Sequence, residues 1–391
     1  MIKIVNKQDC CGCEACVSIC PKECISMKRD TEGFLYPFVN EEICINCNLC
    51  EKICPCLNRN IINDINEDYN FFCMQNSNKQ DLAKSSSGSI FPLLSREIIK
   101  RGGIVFGAKW NKDWMVEHAF SEDDITKFQG SKYLQSEIKD NYKQVQKFLK
   151  EGRSVLFTGL PCQILGLKRF LQKDYDNLLC VDILCHAVVS PNVWRYYLEH
   201  QLCESKKKKE DIVNINFRKK GKYPNGSPTT TLFSIEYKDK FFEEQLYTQC
   251  YGKAFSIGIA NRQSCSKCPC ENLASCSDVT LGDFWGANHF YDDLNPNKGL
   301  SLVISKTEKG LTFVEKIKKH CTIIRKLKKE ECLLNGGLNW KNRKINPKRN
   351  MFFFELKRTK DIDKIKIIKK FTRANIFKEI KLILRRILLK K

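Results

Sequence analysis

Two copies of one cysteine pattern within the first 56 residues constrain this chain more than any other feature of its sequence. Each copy has three cysteines at every third position, a fourth cysteine four residues later, and a proline directly after it. The copies run from Cys10 to Pro21 and from Cys44 to Pro55. A tight loop with this spacing turns three thiols toward one centre, whereas the fourth points away because a helix has begun. The pattern therefore predicts two metal centres whose ligands cross between the copies.

The spacing is typical of the [4Fe-4S] clusters of two-cluster ferredoxins. We expect the ligands of the first cluster to be Cys10, Cys13, Cys16 and Cys54. We expect the ligands of the second cluster to be Cys44, Cys47, Cys50 and Cys20. Zinc is disfavoured, because zinc motifs join two close cysteines to two distant ligands. Cys11, Cys24 and Cys56 lie outside the pattern and are interpreted as bystanders, although Cys11 could substitute in register.

The use of cysteine also indicates a cellular compartment. The chain has 391 residues and 23 cysteines, an odd number, and 11 of them precede Asn58. A disulfide framework is typical of small secreted domains, whereas a long chain of this kind uses clustered cysteines as metal ligands. The N-terminus lacks the apolar stretch and cleavage site of a signal peptide. We expect a cytoplasmic protein, and no apolar run approaches the roughly 20 residues of a membrane span.

The formal charge of +22 does not indicate a nucleic-acid-binding body. Each [4Fe-4S] site with four thiolates contributes roughly −2, which lowers the effective charge. The excess is also uneven, because Lys357–Lys391 contains 14 Lys and Arg but only 3 Asp and Glu. Within this basic end, residues 375–391 have the spacing of an amphipathic helix, which either packs on its own domain or lies on an anionic membrane surface.

The pattern along the chain divides it into four parts. Residues 1–57 form the cysteine-rich module and residues 58–70 a polar linker, followed by a body over 71–335 and a basic C-terminal extension over 336–391. In the body, segments 102–110 and 154–160 are predicted as buried strands, and segments 136–150 and 162–171 have helical spacing. This alternation predicts an α/β body with a mostly parallel or mixed sheet, so the whole chain is α+β / α/β.

Four further cysteines stand at predicted junctions between strands and helices. Cys162 lies where a strand turns into a helix, Cys185 ends the strand VDILCH, and Cys265 and Cys268 form a C-x-x-C before SDVTLGDFWG. Strand ends and helix starts gather at one edge of an α/β sheet, where ligands bind. Taken singly, Cys162 or Cys185 is more typical of a buried structural cysteine. Four thiols in one place favour a soft metal or a cluster.

The body resembles the coenzyme F420 hydrogenase/dehydrogenase beta-subunit family, with a ferredoxin module in front. The matching segments stand in the family's order: SSSGSIFPLLSREIIKRGGIVFGA, GSKYLQS, VLFTGLPCQILGLK, VDILCH, and SCSKC before SDVTLGDFWG. The similarity is greatest to the bacterial branch often found beside polysaccharide biosynthesis genes. The resemblance implies an FAD-binding body with its own [4Fe-4S] cluster, held by the residues that match the family's recurrent cysteines: Cys162, Cys185, Cys265 and Cys268.

The resemblance also implies where FAD binds. The candidate residues are Ser86, Ser87, Gly88, Ser89, Gly130, Ser131, Lys132, Tyr133, Gly159, Pro161, Gly282 and Asp283. The chain departs from the family at Ser89, where the family usually has a second glycine, so a close phosphate approach is in question there. It also departs at Cys270 and Ser275, where the family has an aromatic residue and an arginine. Cys270 and Cys276 are therefore extra thiols that could be alternative cluster ligands.

The sequence favours an iron–sulfur flavoprotein oxidoreductase that exchanges electrons with ferredoxin, a deazaflavin coenzyme or another redox partner. Its catalytic residues and organic substrate are unknown, with Asp283 and Lys132 as candidates near the flavin ring and Asp182 and His186 as weaker ones. A Cys185–His186 nucleophilic pair is discounted, because neighbouring side chains on a strand point to opposite faces. The alternatives are an electron-transfer subunit that serves a partner enzyme and a zinc-stabilised nucleic-acid binder.

Overall fold

The structure, a computed structural model, describes residues 1–59, 66, 68–333 and 344–373. Its strands are β1 (Ile25–Arg29), β2 (Leu35–Val39), β3 (Asn70–Asn76), β4 (Ile104–Trp110), β5 (Val116–Ser121), β6 (Val155–Gly159), β7 (Leu178–Ile183), β8 (Ile212–Lys222), β9 (Pro228–Tyr237), β10 (Phe241–Gln245), β11 (Val279–Asp283), β12 (Ser301–Ser305) and β13 (Cys321–Leu327). Its α-helices are α1 (Ala15–Ile19), α2 (Leu49–Lys52), α3 (Lys79–Lys84), α4 (Phe91–Ile99), α5 (Asn141–Lys150), α6 (Pro161–Leu171), α7 (Pro191–Ser205), α8 (Cys250–Ser256), α9 (Glu308–Lys318), α10 (Lys329–Leu333), α11 (Arg349–Arg358) and α12 (Lys364–Thr372).

An eight-stranded mixed sheet organises the body. Its strand order is β13-β3-β12-β11-β7-β6-β4-β5. Strands β4, β6, β7 and β11 run parallel to one another, and the other neighbours pair antiparallel. The predicted α/β class with a mixed sheet is therefore confirmed. The carboxyl ends of the four parallel strands meet at one edge, which is where such sheets bind ligands.

The parallel strands are continuous apolar runs because both faces of the sheet are covered. In β6, Phe157 points into a core that contains Phe106 and Tyr142. Its neighbour Leu156 points to the opposite face and packs with Leu179. Successive side chains of a strand alternate between faces, so both cores are needed to bury this strand.

A second sheet of three strands packs beside the first. Strands β10, β9 and β8 pair antiparallel, and their inner face shares a core with Trp194 of α7. Phe352 of α11 and Ile368 of α12 belong to the same core, so these two C-terminal helices pack on the body. The amphipathic helix predicted for residues 375–391 lies outside the described residues. In the described ranges, no helix is both long and apolar enough to span a membrane.

The N-terminal module packs on the sheet through helices α5 and α6. Cysteines of the module share one core with Phe157 and Tyr142 of the body. Gly166 of α6 allows this approach, because an added Cβ there would lie 2.9 Å from the Cβ of Cys13. The carboxylate of Glu14 also accepts hydrogen bonds from the backbone amides of Ile138 (2.8 Å) and Lys139 (2.9 Å).

The contact of Glu14 corrects the predicted helix over 136–150. The helix begins at Asn141, five residues later than the pattern indicates. The preceding segment instead runs beside β5, where Glu137 bridges to Glu117. Its amides at 138 and 139 are bound by a carboxylate that lies 124 residues or more away in sequence. A local pattern cannot reveal a distant acceptor of this kind.

Candidate functional site

Two cavities in the N-terminal module are lined by the cysteines of the repeat. The wall of the first includes the set predicted for the first cluster: Cys10, Cys13, Cys16 and Cys54. The wall of the second includes the set predicted for the second cluster: Cys20, Cys44, Cys47 and Cys50. The fold thus brings together the crossed sets, because α1 and α2 each carry a fourth cysteine toward the other copy's loop. Ligation of iron by these residues stays a prediction.

The two cavities differ in their contact with solvent. All four predicted ligands around the first cavity are buried. Around the second, Cys44 is half-buried and Cys47 is exposed. In this second set, the Cys50 Sγ accepts a hydrogen bond from the backbone amide of Ile2 at 3.3 Å. The Cys20 Sγ lies 3.4 Å from the Cys24 Sγ, so Cys24 is a neighbour of the second site.

Burial keeps several of these thiols protonated while no metal is bound. It raises the pKa of Cys10 to about 11 and that of Cys54 to about 12. In the body, burial likewise raises the pKa of Cys265 to about 12. Metal ligation requires thiolates, so metal loading would release protons from these sites. Within the described parts of the chain, no three His, Cys, Asp or Glu side chains are placed to hold a single metal ion.

Cysteines of the body lie close to two cysteines that line the first cavity of the module, Cys11 and Cys56. Cys162 lies in the first turn of α6, and Cys265 and Cys268 lie in and after a short 3-10 helix at 263–267. Cys11 links the two parts, because its buried thiol lies beside those of Cys13, Cys56 and Cys162. These contacts place Cys11 and Cys56, two of the predicted bystanders, between the module's first cysteine set and the body's cysteines.

The extra thiols predicted beside the body cysteines differ in position. The thiol of Cys270 lies beside that of Cys268, and the backbone amide of Cys270 donates to the Cys268 Sγ at 3.4 Å. The exposed Cys276 contacts the carbonyl oxygen of Ala274 at 3.9 Å. Cys185 lies two residues beyond the end of β7 rather than at its end, and its Sγ lies 3.9 Å from the Ala187 carbonyl.

A third cavity, of about 310 Å³, opens at the carboxyl edge of the parallel strands. Ten of the twelve residues predicted for FAD binding line it: Ser86, Ser87, Ser89, Gly130, Ser131, Lys132, Tyr133, Gly159, Gly282 and Asp283. The other two lie behind the wall. Pro161 is buried at the start of α6, and the amide of Gly88 donates to Ser301 Oγ at 2.9 Å. That amide is therefore not free to contact a phosphate.

The departure at Ser89 is accommodated within the fold. Ser89 is buried with a φ of 65°, the left-handed conformation that favours glycine. Its hydroxyl accepts a hydrogen bond from Ser85 Oγ at 2.9 Å, and its backbone carbonyl accepts one from the side chain of Asn76 at 3.2 Å. The family's glycine at this position thus reflects a backbone conformation that serine here adopts at some strain.

Two buried polar groups of the cavity lack a complete set of partners. His118, 3% exposed, donates from Nε2 to the Thr158 carbonyl at 2.8 Å, and its Nδ1 has no hydrogen-bond partner among the described residues. Burial lowers the pKa of His118 to about 4, so its imidazole is neutral. The ammonium of Lys132 donates to two carbonyls, at 3.1 and 3.3 Å, and burial lowers its pKa to about 7.

Asp283 is already paired within the protein. Arg218, 3% exposed, donates to both carboxylate oxygens at 3.0 and 3.2 Å and to the Tyr133 hydroxyl at 3.3 Å. The guanidinium also lies 4.7 Å from the centre of the Trp285 ring. Arg218 was missed in the sequence, because it lies on β8 among other basic residues with no motif around it.

The two weaker candidates near the flavin ring are placed elsewhere. Asp182 is buried in β7, where its Oδ1 accepts from the hydroxyls of Ser277 (2.9 Å) and Thr280 (2.5 Å). It therefore connects two strands of the sheet. His186 lines a separate cavity beside Cys265 and meets the Phe255 ring edge-on at 5.0 Å. Neither residue lines the third cavity.

A larger cleft of about 670 Å³ adjoins the third cavity and shares its wall at residues 129–132. Five lysines line the cleft: Lys84, Lys109, Lys127, Lys132 and Lys219. Two of them are paired, Lys109 with Glu117 at 3.1 Å and Lys219 with Glu243 at 2.6 Å. Trp110 and Trp114 supply an aromatic part of the wall. Its lining is therefore both basic and aromatic.

The fold is of mixed α/β architecture, with two cysteine-lined cavities in the module and a third cavity at the carboxyl edge of the parallel strands. Residues 152–330 match the family described as coenzyme F420 hydrogenase/dehydrogenase, C terminus of the beta subunit. This match covers most of the body and agrees with the resemblance stated above. The same similarity to hydrogenase and dehydrogenase subunits agrees with the expectation of an oxidoreductase.

Comparison with solved structures gives a more distant match. A chain in the structure "Xenon derivatization of the F420-reducing [NiFe] hydrogenase complex from Methanosarcina barkeri" is 15% identical, with a TM-score of 0.45. The match covers 78% of this chain and 93% of that one. No curated protein sequence matches the chain.

Proposed function

We propose that the chain is an iron–sulfur flavoprotein oxidoreductase. Its N-terminal module carries two [4Fe-4S] clusters, and its body carries a third cluster and one FAD. Single electrons pass through the clusters, and the flavin supplies the conversion between one-electron transfer and two-electron chemistry on an organic substrate. The protein's own residues hold these groups in place and exclude water from them.

The contact between module and body thiols carries this proposal. The thiol of Cys11 lies beside that of Cys13, a predicted ligand of the first cluster, and beside that of Cys162, a predicted ligand of the body cluster. A cavity ringed by four thiols suits an extended four-iron group better than a single ion. Such closeness of two sites supports direct electron transfer between them. The third cluster is proposed on Cys162, Cys185, Cys265 and Cys268. Cys162 and Cys268 both act on the buried thiol of Cys265, and Cys270, which lies beside Cys268, is the nearest alternative ligand.

The residues of the third cavity fit a flavin nucleotide. Small-molecule sites are mostly apolar cavities of roughly 300–1,000 Å³ with a few convergent polar groups. The unpartnered Nδ1 of His118 offers an acceptor, and the buried ammonium of Lys132 offers a positive charge to an anionic group. Hydroxyls of Ser86, Ser87 and Ser131 stand nearby. Arg218 fixes Asp283, so that carboxylate shapes the wall.

The adjoining cleft supports an anionic substrate next to the flavin. Its lysines outnumber the single carboxylate of its wall, that of Glu236. A phosphate or carboxylate group on the substrate would balance this charge, and the tryptophan rings would cover an apolar part of the same molecule.

The exposed second site supports a redox partner protein, such as a ferredoxin, as electron donor or acceptor. Cys47 is exposed there, and the nearby side chains of Ile45 and Ile43 are 57% and 49% exposed. Exposed apolar side chains around a redox centre are typical of a surface for a transient protein partner. The first site is buried against the body, so electrons would enter or leave at the second.

Anaerobic purification with quantification of iron, sulfide and flavin tests the proposal. We expect about twelve irons, about twelve sulfides and one FAD per chain. Cys16→Ser, in the first set, should lose one cluster, and Cys162→Ser should lose the body cluster. Cys276→Ser changes an exposed thiol that lies beside the Ala274 carbonyl, so this variant is the matched control and should keep the full content.

Other outcomes would contradict particular parts of the proposal. Eight irons per chain would contradict the third cluster, and zinc in place of iron would contradict all three clusters. Turnover of a small electron acceptor by the isolated chain distinguishes an enzyme from an electron-transfer subunit. A chain with full cofactor content that reduces only a partner protein would favour the subunit.

A further inference from the structure

Arg262 is a buried arginine at the junction of module and body. It is 2% exposed and directly precedes the short helix that carries Cys265. Its Nε donates to the Cys10 carbonyl at 2.9 Å, and one Nη donates to the Leu35 carbonyl at 2.8 Å. The other Nη donates to Gln135 Oε1 at 3.3 Å. The guanidinium thus crosses from the body into the loop around the first cavity.

The guanidinium also contacts a predicted cluster ligand. One Nη lies 3.7 Å from the Cys10 Sγ. Gly12 makes this approach possible, because an added Cβ there would lie 2.8 Å from Nη1 of Arg262. The remaining neighbours are aromatic, with the guanidinium 4.5 Å from the centre of the Tyr36 ring and 5.3 Å from that of Phe34.

Among the described residues, two other fully buried arginines each pair with a carboxylate, whereas Arg262 contacts neutral groups. Arg218 pairs with Asp283, and Arg349 pairs with Glu32. The partners of Arg262 among the described residues are carbonyls, an amide oxygen, a thiol and two rings. An arginine is always protonated in proteins, and a buried charge without a countercharge is costly. A negatively charged group at Cys10 would supply that countercharge.

We infer that Arg262 is the countercharge of the first cluster, on Cys10, Cys13, Cys16 and Cys54, and that it raises the reduction potential of that cluster. This inference rests on the function proposed above. Cluster potentials depend on net charge, on hydrogen bonds to sulfur and on solvent exposure. Burial alone would make the first cluster harder to reduce than the exposed second one. The positive charge of Arg262 stabilises the added electron and offsets that burial, so electrons can reach the cluster that faces the body.

Redox titration of the anaerobic protein, followed by electron paramagnetic resonance, measures this effect. Arg262→Gln should lower the potential of the first cluster and leave that of the second unchanged. We expect at least a tenfold decrease in the equilibrium constant for its one-electron reduction, which corresponds to about 59 mV. Arg262→Lys keeps the charge and should retain most of the wild-type potential.

Two further variants show which cluster each measured potential belongs to and whether the charge of Arg262 sets it. Asn46→Asp adds a negative charge beside Cys44, whose Sγ lies 3.8 Å from Asn46 Oδ1, so the potential that it lowers belongs to the second cluster. Gln135→Glu places a carboxylate against Arg262 without removing the guanidinium, and should lower the potential of the first cluster as Arg262→Gln does.

The outcomes separate this inference from the function on which it rests. A protein without reducible clusters would overturn the proposed function itself. Intact clusters with an unchanged first potential in either Arg262→Gln or Gln135→Glu would overturn the role of Arg262. If Arg262→Gln fails to hold the first cluster, the potential of that cluster in Gln135→Glu tests the role of Arg262 instead. Loss of the first cluster from both of these variants, with retention in Arg262→Lys, supports the countercharge. Equal loss from Arg262→Lys contradicts it.

Discussion

Lys132 carries the buried charge of the proposed flavin cavity. Burial lowers its pKa from 10.5 to about 7, so near neutral pH about half of the molecules hold it uncharged. A bound anion favours the ammonium form, so binding of FAD takes up a proton above pH 7. We therefore expect FAD affinity of flavin-depleted protein to fall between pH 7 and 9, by up to about tenfold per pH unit. Quenching of flavin fluorescence measures the affinity.

The variant Lys132→Met tests whether this residue causes the pH dependence. Its affinity should be lower at pH 7 and nearly constant up to pH 9. Lys127→Met is the control, because Lys127 is an exposed lysine of the adjoining cleft and should keep the wild-type profile. An affinity of the wild-type protein that does not change with pH would show that no anionic group lies near the Lys132 ammonium.

At the scale of elements, the loop between α3 and α4 is held by one lysine of β8. The Lys220 ammonium donates to the carbonyls of Leu82 (2.8 Å), Ser85 and Ser87 (2.8 Å). Burial lowers the pKa of Lys220 to about 7. Its side chain is the shared hydrogen-bond donor of these three carbonyls. The opposite side of this loop offers the serine hydroxyls to the third cavity.

Lys220→Met should therefore reduce flavin binding without affecting the clusters. Three carbonyls would lose their donor, and each unsatisfied buried group costs roughly 1–3 kcal/mol, so the loop would rearrange. We expect the flavin content per chain to fall to less than half, with iron and sulfide unchanged. Lys222→Met, two residues along the same strand and exposed, should bind a full equivalent of flavin. Equal flavin content in both variants would contradict a role for the Lys220 contacts.

What the sequence could predict at this scale was set by short-range patterns. The cysteine repeat, the strand–turn–helix around Pro161 and the alternation of the body all depend on neighbours within about ten residues. The pattern places the start of α5 five residues early, because Glu14 binds its preceding amides from another part of the chain. Arg218 was missed for the same reason, since its partner Asp283 is 65 residues away.

At the scale of the whole molecule, one buried ion pair joins the two ends of the chain. Arg349 of α11 donates to both carboxylate oxygens of Glu32 in the module, one of them at 3.0 Å. Its Nε also donates to the Asn261 carbonyl at 2.9 Å, next to Arg262. The Glu32 carbonyl in turn accepts from Ser190 Oγ at the start of α7. These contacts tie the turn between β1 and β2 of the module to α7 and α11 of the body.

Breaking this pair on one side should loosen the module from the body. Removal of one partner of a buried pair costs about 3–5 kcal/mol, because the other charge stays buried without a countercharge. We expect Glu32→Gln and Arg349→Met each to lower the apparent thermal midpoint of the anaerobic protein by several degrees. The double variant should recover a large part of that loss, since no charge then remains unbalanced. If the decrease in thermal midpoint of the double variant equals the sum of the decreases in the two single variants, the two residues do not interact directly.

The same variants connect docking to function. Each single variant should retain its iron and sulfide, because neither residue is a predicted ligand. Electrons supplied to the exposed second site should nevertheless reach the flavin more slowly, since transfer depends on how closely the first site faces Cys162. Stopped-flow reduction, followed at flavin wavelengths, measures this rate. Full cluster content with a wild-type rate of flavin reduction in both variants would show that electrons do not pass through this junction.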